Sequence, residues 1–238
     1  MSIHINAKRN DIARMVILSG DPLRMKYMAY KYLTDVKEVS NVRNESYYTG
    51  VYKGKRITFG SHGMGAHSAG TYATELIVEY GVDLIIRCGS ASSYKPEINV
   101  LDTAIITRAY SDNLAISRLT NNELSHIYYP NKLVVDSLVD SASRLGKKYS
   151  LLSVHSADVF YSNRSIPDTI SETQSDIVDA ESFAIFAVAK KFDKKAAAVL
   201  QISDNLPKME YSDSITREQK FTDIFEIALD MIAQDNFL

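Results

Sequence analysis

Short apolar runs alternate along the chain with longer amphipathic stretches, and turn or cap residues mark most of the switches. Residues 15–18 are continuously apolar and read as a buried strand, closed by Ser19-Gly20-Asp21-Pro22. Pro22 suits the first turn of a helix, which the pattern carries to about residue 33. Residues 47–52 and 57–61 predict two strands around a turn at Lys53-Gly54-Lys55. His62-Gly63-Met64-Gly65 then leads into a helix over about 67–80, with Gly81 as its stop. Further strands are expected at 84–88, 101–107, 151–154 and 196–202, and helices at 132–145 and 182–190. From Thr216 to the C-terminus the spacing of Phe221, Ile224, Ile227, Ala228 and Ile232 predicts one closing helix.

Strands alternating with helices predict an α/β fold, a single domain over 1–238 whose central mixed or largely parallel β-sheet is flanked by helices. In such folds ligands lie beyond the carboxyl ends of the strands. Three clusters fall there: Gly20 to Arg24, Arg87 to Ser90, and Ser203-Asp204.

Composition narrows the partners. A formal net charge of −2 supplies no basic field for nucleic acid, so any bound anion must be held by locally placed cations. No stretch of about 18 apolar residues argues for a membrane span. The single cysteine, Cys88, rules out a disulfide within the chain and fits a reducing cytoplasm. The N-terminus lacks the pattern of a signal peptide, so a cytoplasmic location is expected. The histidines (His4, His62, His67, His126 and His155) have no ligand spacing, so no metal is implied. Gly63-Met64-Gly65 lacks the third glycine of a dinucleotide fingerprint, and neither a P-loop nor an HExxH motif is present.

Each cluster has a chemical and a plain reading. Gly20 lets backbone approach a ligand, the following helix offers free N–H groups to an anion, and Arg24 can swing to the same point. The plain alternative is an ordinary strand–turn–helix with a solvated arginine. Arg87 ends an apolar strand, where burial is costly unless the guanidinium meets an anion, and Gly89 and Ser90 add donors. The alternative is a salt bridge to one of the chain's own carboxylates. Asp204 closes the 196–202 strand, where partial desolvation of a carboxyl favours the protonated form that a general acid needs. The alternative is a turn or N-cap aspartate.

Taken in order, these segments resemble the hexameric bacterial purine nucleoside phosphorylases of the nucleoside phosphorylase-I family. The likeness runs through His4-Ile5-Asn6-Ala7, Gly20-Asp21-Pro22-Leu23-Arg24, Asn41-Val42-Arg43, Thr49-Gly50-Val51-Tyr52-Lys53-Gly54, His62-Gly63-Met64-Gly65 and Ile86-Arg87-Cys88-Gly89-Ser90. It continues through Ser156-Ala157-Asp158-Val159-Phe160-Tyr161, Ser203-Asp204 and Thr216-Arg217-Glu218-Gln219.

The resemblance implies phosphorolysis of purine nucleosides, with inorganic phosphate as co-substrate and no further cofactor. It implies that Gly20, Arg24, Arg87, Cys88, Gly89 and Ser90 form the phosphate site, with Arg43 reaching in from a neighbouring subunit. His4, also from the neighbour, and Met64, Phe160, Val178, Asp179, Ala180, Glu181 and Ser203 would surround the nucleoside, with Glu181 on the ribose hydroxyls. Asp204 would protonate the purine at N7, assisted by Arg217. The implied assembly is a hexamer built as a trimer of dimers.

The chain departs from the family pattern at several points. Val178-Asp179-Ala180-Glu181 stands where Val-Glu-Met-Glu is usual, and loss of the methionine contact costs about 1–3 kcal/mol of sugar binding. Ser19 replaces a proline, Ser92 a glycine and Asn205 a frequent histidine. Within the same fold, a uridine phosphorylase would show a Gln-x-Arg pair, which Tyr161-Ser162-Asn163-Arg164 lacks. A nucleosidase using water would not need Arg24, Arg43 and Arg87. A non-catalytic nucleoside binder would not need Asp204 and Arg217.

Overall fold

The computed structural model describes residues 2–234. Its first strand, β1 (Met15–Ser19), is buried at every position, as its unbroken apolar run requires of a strand covered on both faces. The Asp21 carboxylate caps α1 (Pro22–Tyr32), accepting from Leu23 N at 2.9 Å and Arg24 N at 3.2 Å, with Pro22 in the first turn. An antiparallel ribbon follows: β2 (Thr34–Val42), β3 (Glu45–Tyr52) and β4 (Lys55–Ser61). Next comes α2 (Ala66–Tyr80), which ends where Gly81 turns left-handed at φ 71° and donates to Ile77 O.

The second half adds β5 (Leu84–Ser93), β6 (Thr103–Tyr110), α3 (Leu114–Asn121), β7 (Ile127–Tyr128), α4 (Lys132–Arg144) and β8 (Ser150–Ser156). Then come α5 (Ile166–Thr173), β9 (Ile177–Asp179), α6 (Ser182–Lys191), β10 (Lys195–Asn205), β11 (Glu210–Tyr211), α7 (Ser214–Gln219) and α8 (Asp223–Gln234).

The sheet is mixed, in the order β11-β10-β6-β8-β9-β5-β1-β4-β3-β2, with β7 beside β6. An additional parallel pairing of β10 with β5 closes β5, β10, β6, β8 and β9 into a ring. One apolar cluster packs α2 and α6 on one face through Tyr72, Leu76, Phe183 and Phe186. The other packs α1, α4 and α8 through Met25, Met28, Leu138, Ile224 and Phe225. Among the described residues no helix is long and apolar enough to cross a membrane.

The α/β class and the principal strands match the expectation, and four differences have physical causes. β2 is a largely exposed outer strand, so no buried face stamps a clear pattern on residues 34–42. The helices α3 and α5 are only eight residues each, about two turns, and bury one or two side chains, so their apolar stripe is too short to stand out along the chain. The ring closure depends on pairing between distant strands, which local pattern does not encode. The expected closing helix divides into α7 and α8. Phe221, between them, is fully buried, and Thr222 O starts the second helix by accepting from the N–H groups of Phe225 and Glu226. Residues 235–238, which that expectation also covered, lie outside the described residues.

Candidate active site

The parallel strands β1, β5 and β10 carry their ends to one edge of the sheet, where Leu18 and Ala198 both pair with Arg87. Gly20 lies just beyond β1, and a Cβ there would stand 3.0 Å from Gly63 O, a contact tight enough that glycine suits the close approach of the two loops. Arg24, on the first turn of α1, reaches the same edge. Its Nη1 donates to Ser19 Oγ at 3.1 Å and its Nε to Arg217 O at 2.6 Å, and the guanidinium lies 5.3 Å above the Phe221 ring. The nearest carboxylate, Asp21, is 3.9 Å away. Burial holds the Arg24 pKa down at about 10, and the neighbouring charges of Arg87 and Arg217 push the same way against Asp21.

Arg87 approaches this edge from the opposite face. Its side chain lies over Gly89, where a Cβ would meet Nη1 at 2.5 Å. Its Nε donates to Asp179 Oδ2 at 3.0 Å and its Nη2 to Glu181 Oε2 at 2.5 Å. The salt bridge to the chain's own carboxylates is therefore the arrangement seen. Burial opposes the charge on Arg87, but Glu181 and Asp179 outweigh it and raise the pKa. Asp179 also accepts from Ser156 Oγ at 2.6 Å and from Ser182 Oγ at 2.6 Å, while Glu181 Oε1 accepts from Gly65 N at 2.9 Å. Glu181 thus ties the Gly63–Gly65 turn to Arg87.

His62 completes this cluster. Its Nδ1 donates to Gly63 O at 2.7 Å, which leaves Nε2 to accept from Arg87 Nη1 at 3.4 Å. Full burial, and then Arg87, push its pKa down to about 3, so the ring stays neutral.

Asp204 owes its direction to a β-bulge. Ile202 pairs with Ala91, but the next pair is Asp204 with Ser92, so Ser203 is the extra residue. The bulge places Asp204 on the same face as Ser92, from which an unbroken register would have turned it away. Arg217 Nη2 donates to Asp204 Oδ1, while Ser92 Oγ and Ser203 Oγ each lie 2.8 Å from Oδ2. The carboxyl is buried, as a desolvated strand-end aspartate was expected to be, and three side-chain donors meet it.

Gly20 in the loop after β1, Arg24 on α1, Arg87, Gly89 and Ser90 within β5, Ser203 and Asp204 near the end of β10 and Arg217 on α7 thus surround one region, with Asp179 and Glu181 tied to it through Arg87. Val178 is half-buried and pairs with both Ser92 and His155, and Ala180 is half-buried beside Glu181. The Cys88 side chain is a correction. It is fully buried in the α8-facing cluster with Sγ against Ile224 O at 3.5 Å, and burial raises its pKa, so only its backbone is left for an anion.

Among the described residues, three expected around the ligand, His4, Arg43 and Phe160, have no bond to the chain's own cluster, and a fourth, Met64, belongs by its backbone to the Gly63–Gly65 turn of the cluster but exposes its side chain. His4 Nδ1 lies 2.5 Å from Glu75 Oε1 on α2. Arg43 and Asn44, at φ 59° and 66°, form the two-residue tip of the β2–β3 hairpin, a type I′ arrangement that leaves Arg43 exposed. Met64 and Phe160 are 88% and 84% exposed. Sequence reasoning missed His62, Ser156 and Ser182 as supports of Arg87 and Asp179. The signal for His62 was its place at the end of a buried strand, directly before a glycine turn.

The model of the phosphorylase superfamily matches residues 14–233. The chain belongs to the phosphorylase superfamily. Within it, the chain is 37% identical over 228 residues to the purine nucleoside phosphorylase DeoD-type of Chromobacterium violaceum, covering 95% of this chain and 96% of that protein. It is 36% identical over 233 residues to the protein of the same name from Haemophilus influenzae, covering 98% of each. The same superfamily fold is seen in the crystal structure of purine nucleoside phosphorylase from Toxoplasma gondii in complex with immucillin-H. That structure aligns with a TM-score of 0.85 at 23% identity, covering 97% of this chain and 94% of the other.

Proposed function

We propose that this phosphorylase-superfamily chain cleaves purine nucleosides with inorganic phosphate, releasing the free base and a pentose 1-phosphate. The observation that carries this reading is the pairing of Asp204 with Arg217 at the strand edge where Arg24 retains a buried, poorly compensated charge. The names of its full-length relatives support it.

A purine leaves poorly as an anion, and protonation at N7 turns it into a neutral leaving group. Asp204 supplies that proton and Arg217 orients the carboxyl. The sugar then carries positive charge at C1′, which a phosphate dianion stabilises and captures. Gly20, Arg24, Arg87 and the Gly89–Ser90 stretch of β5 hold the phosphate, because planar guanidinium groups grip two of its oxygens together. Glu181, positioned by Arg87, receives the ribose hydroxyls.

The exposed Arg43, Met64 and Phe160, together with His4, fit an assembly in which neighbouring subunits complete each other's sites. A hexamer built as a trimer of dimers is the form we propose, acting in the cytoplasm. The testing experiment is release of hypoxanthine from inosine, and of adenine from adenosine, with and without phosphate. Phosphate-dependent release with formation of pentose 1-phosphate is expected. Release at the same rate in phosphate-free buffer contradicts the proposal and favours transfer to water.

A further inference from the structure

The two oxygens of Asp204 have unlike neighbours. Oδ1 faces Arg217 Nη2, a group that only donates. Oδ2 faces two hydroxyls, Ser92 Oγ and Ser203 Oγ, each at 2.8 Å, which can either donate or accept. A proton on Oδ1 would oppose a cationic donor, whereas a proton on Oδ2 finds a lone pair waiting. The acid form of Asp204 therefore carries its proton on Oδ2.

The two hydroxyls differ in turn. Ser203 Oγ has a second acceptor, Ala91 O at 3.1 Å, to which its own proton can turn. The hydroxyl of Ser92, a buried residue, has Asp204 Oδ2 as its one hydrogen-bond partner among the described residues. Ser92 also pairs with Asp204 across β5–β10 and with Val178 across β5–β9. Residues directly opposite in a ladder share a face, so Ser92 stands between the acid and the residue expected to flank the base.

On the reading of Asp204 as the acid, we infer that Ser92 is a positioning residue for proton transfer to the purine. In the acid form, Ser203 Oγ, its own proton turned to Ala91 O, can accept from the Oδ2 hydroxyl, while Ser92 Oγ donates to an Oδ2 lone pair and fixes the plane of the carboxyl. As the reaction proceeds, the proton passes from Oδ2 to N7 and the C1′–N9 electron pair goes to the base. An oxygen pair of phosphate forms the new C1′–O bond. Asp204 is left as a carboxylate, and the hydrogen bond that Ser92 donates to Oδ2 strengthens as the negative charge develops there. Ser92 acts through Asp204 and touches neither the sugar nor phosphate.

The test compares inosine with 7-methylinosine, whose N7 already carries a methyl group and a positive charge, so that its base leaves without a proton. Ser92→Ala should lower kcat for inosine about tenfold more than kcat for 7-methylinosine, the size expected for one lost hydrogen bond in the transition state. KM for phosphate should stay within about twofold, since uniform binding is untouched. Ser92→Thr, which keeps the hydroxyl, should restore most of the inosine rate. Equal losses on both substrates, or an undiminished inosine rate in Ser92→Ala, overturn the role of Ser92. Asp204→Asn separates the two levels. If it is selective for inosine while Ser92→Ala is not, only the role of Ser92 falls. If Asp204→Asn slows both substrates alike, the acid reading falls and the inference with it.

Discussion

Arg24 and Arg87 reach the same edge of the sheet from opposite faces, one from a helix turn and one from a strand, and only 4% and 3% of each is exposed. Their surroundings diverge. Arg24 is met by a hydroxyl, a carbonyl and an aromatic ring, with its nearest carboxylate at 3.9 Å. Arg87 is clasped by two carboxylates and a neutral imidazole. Burial lowers one pKa to about 10, while ion pairing raises the other. Two arginines in similar positions thus do different work. Arg24 keeps a charge that an incoming anion can satisfy, and Arg87 serves first as a strut that holds Asp179 and Glu181.

The largest effect expected from this contrast is on stability at Arg87. Arg87→Ala leaves Asp179 and Glu181 buried without their cation, which costs about 3–5 kcal/mol. For a chain of this size the thermal midpoint should fall by roughly 6–20 °C. Arg24→Gln breaks no carboxylate pair of that kind, so its midpoint should move much less, and differential scanning calorimetry of both variants checks the difference.

Ligand affinity should show the reverse order. Arg24→Gln removes a charged donor from the anion and should raise KM for phosphate roughly 10- to 100-fold, with kcat for saturating phosphate less affected. The pH dependence follows the same logic. Arg24 is charged below its folded pKa of about 10 and loses that charge as the pH rises through it. Phosphate affinity of the wild type should therefore fall across pH 10, and initial rates at several phosphate concentrations will show whether that step vanishes in Arg24→Gln.

A smaller effect tests the strut itself. His62 is held neutral with a folded pKa of about 3, whereas an unfolded histidine titrates near 6.5. The unfolded chain therefore gains a proton that the native state refuses, and stability is lost as the pH falls from about 6.5 towards about 3. His62→Gln should flatten the fall of the urea midpoint over that window. An unchanged slope contradicts the neutral imidazole beside Arg87.

The smallest effect belongs to the hairpin tip. Arg43 occupies the left-handed region, which Asn tolerates better than Arg. Arg43→Asn should change the thermal stability by less than about 1 kcal/mol while weakening phosphate use in the assembled protein. A large loss of stability, or unaltered phosphate dependence, contradicts a role for Arg43 at a neighbour's site.

What was legible in the sequence was whatever a local pattern encodes. The apolar runs ending at Ser19, Arg87 and Asp204 located the edge, because buried strands are continuously apolar and glycine marks close approach at Gly20. The partners of Arg87 were not legible as a set. They come from just past β4, from β9 and from the N-cap of α6, and only the pairing of distant strands brings them together. The direction of Asp204 was hidden for the same reason, since the bulge at Ser203 exists only in the pairing of β10 with β5. The break between α7 and α8 was masked by an apolar stripe that runs on across it through Phe221.

The division of labour between the two arginines is tested most directly by a crystal structure of the protein with phosphate. The account predicts the anion at the Gly20 backbone and the Arg24 guanidinium, with Arg87 still bonded to Asp179 through Nε. A structure in which phosphate leaves the Arg24 corner empty, or in which Arg87 abandons both carboxylates while Arg24 keeps its present partners, would contradict it.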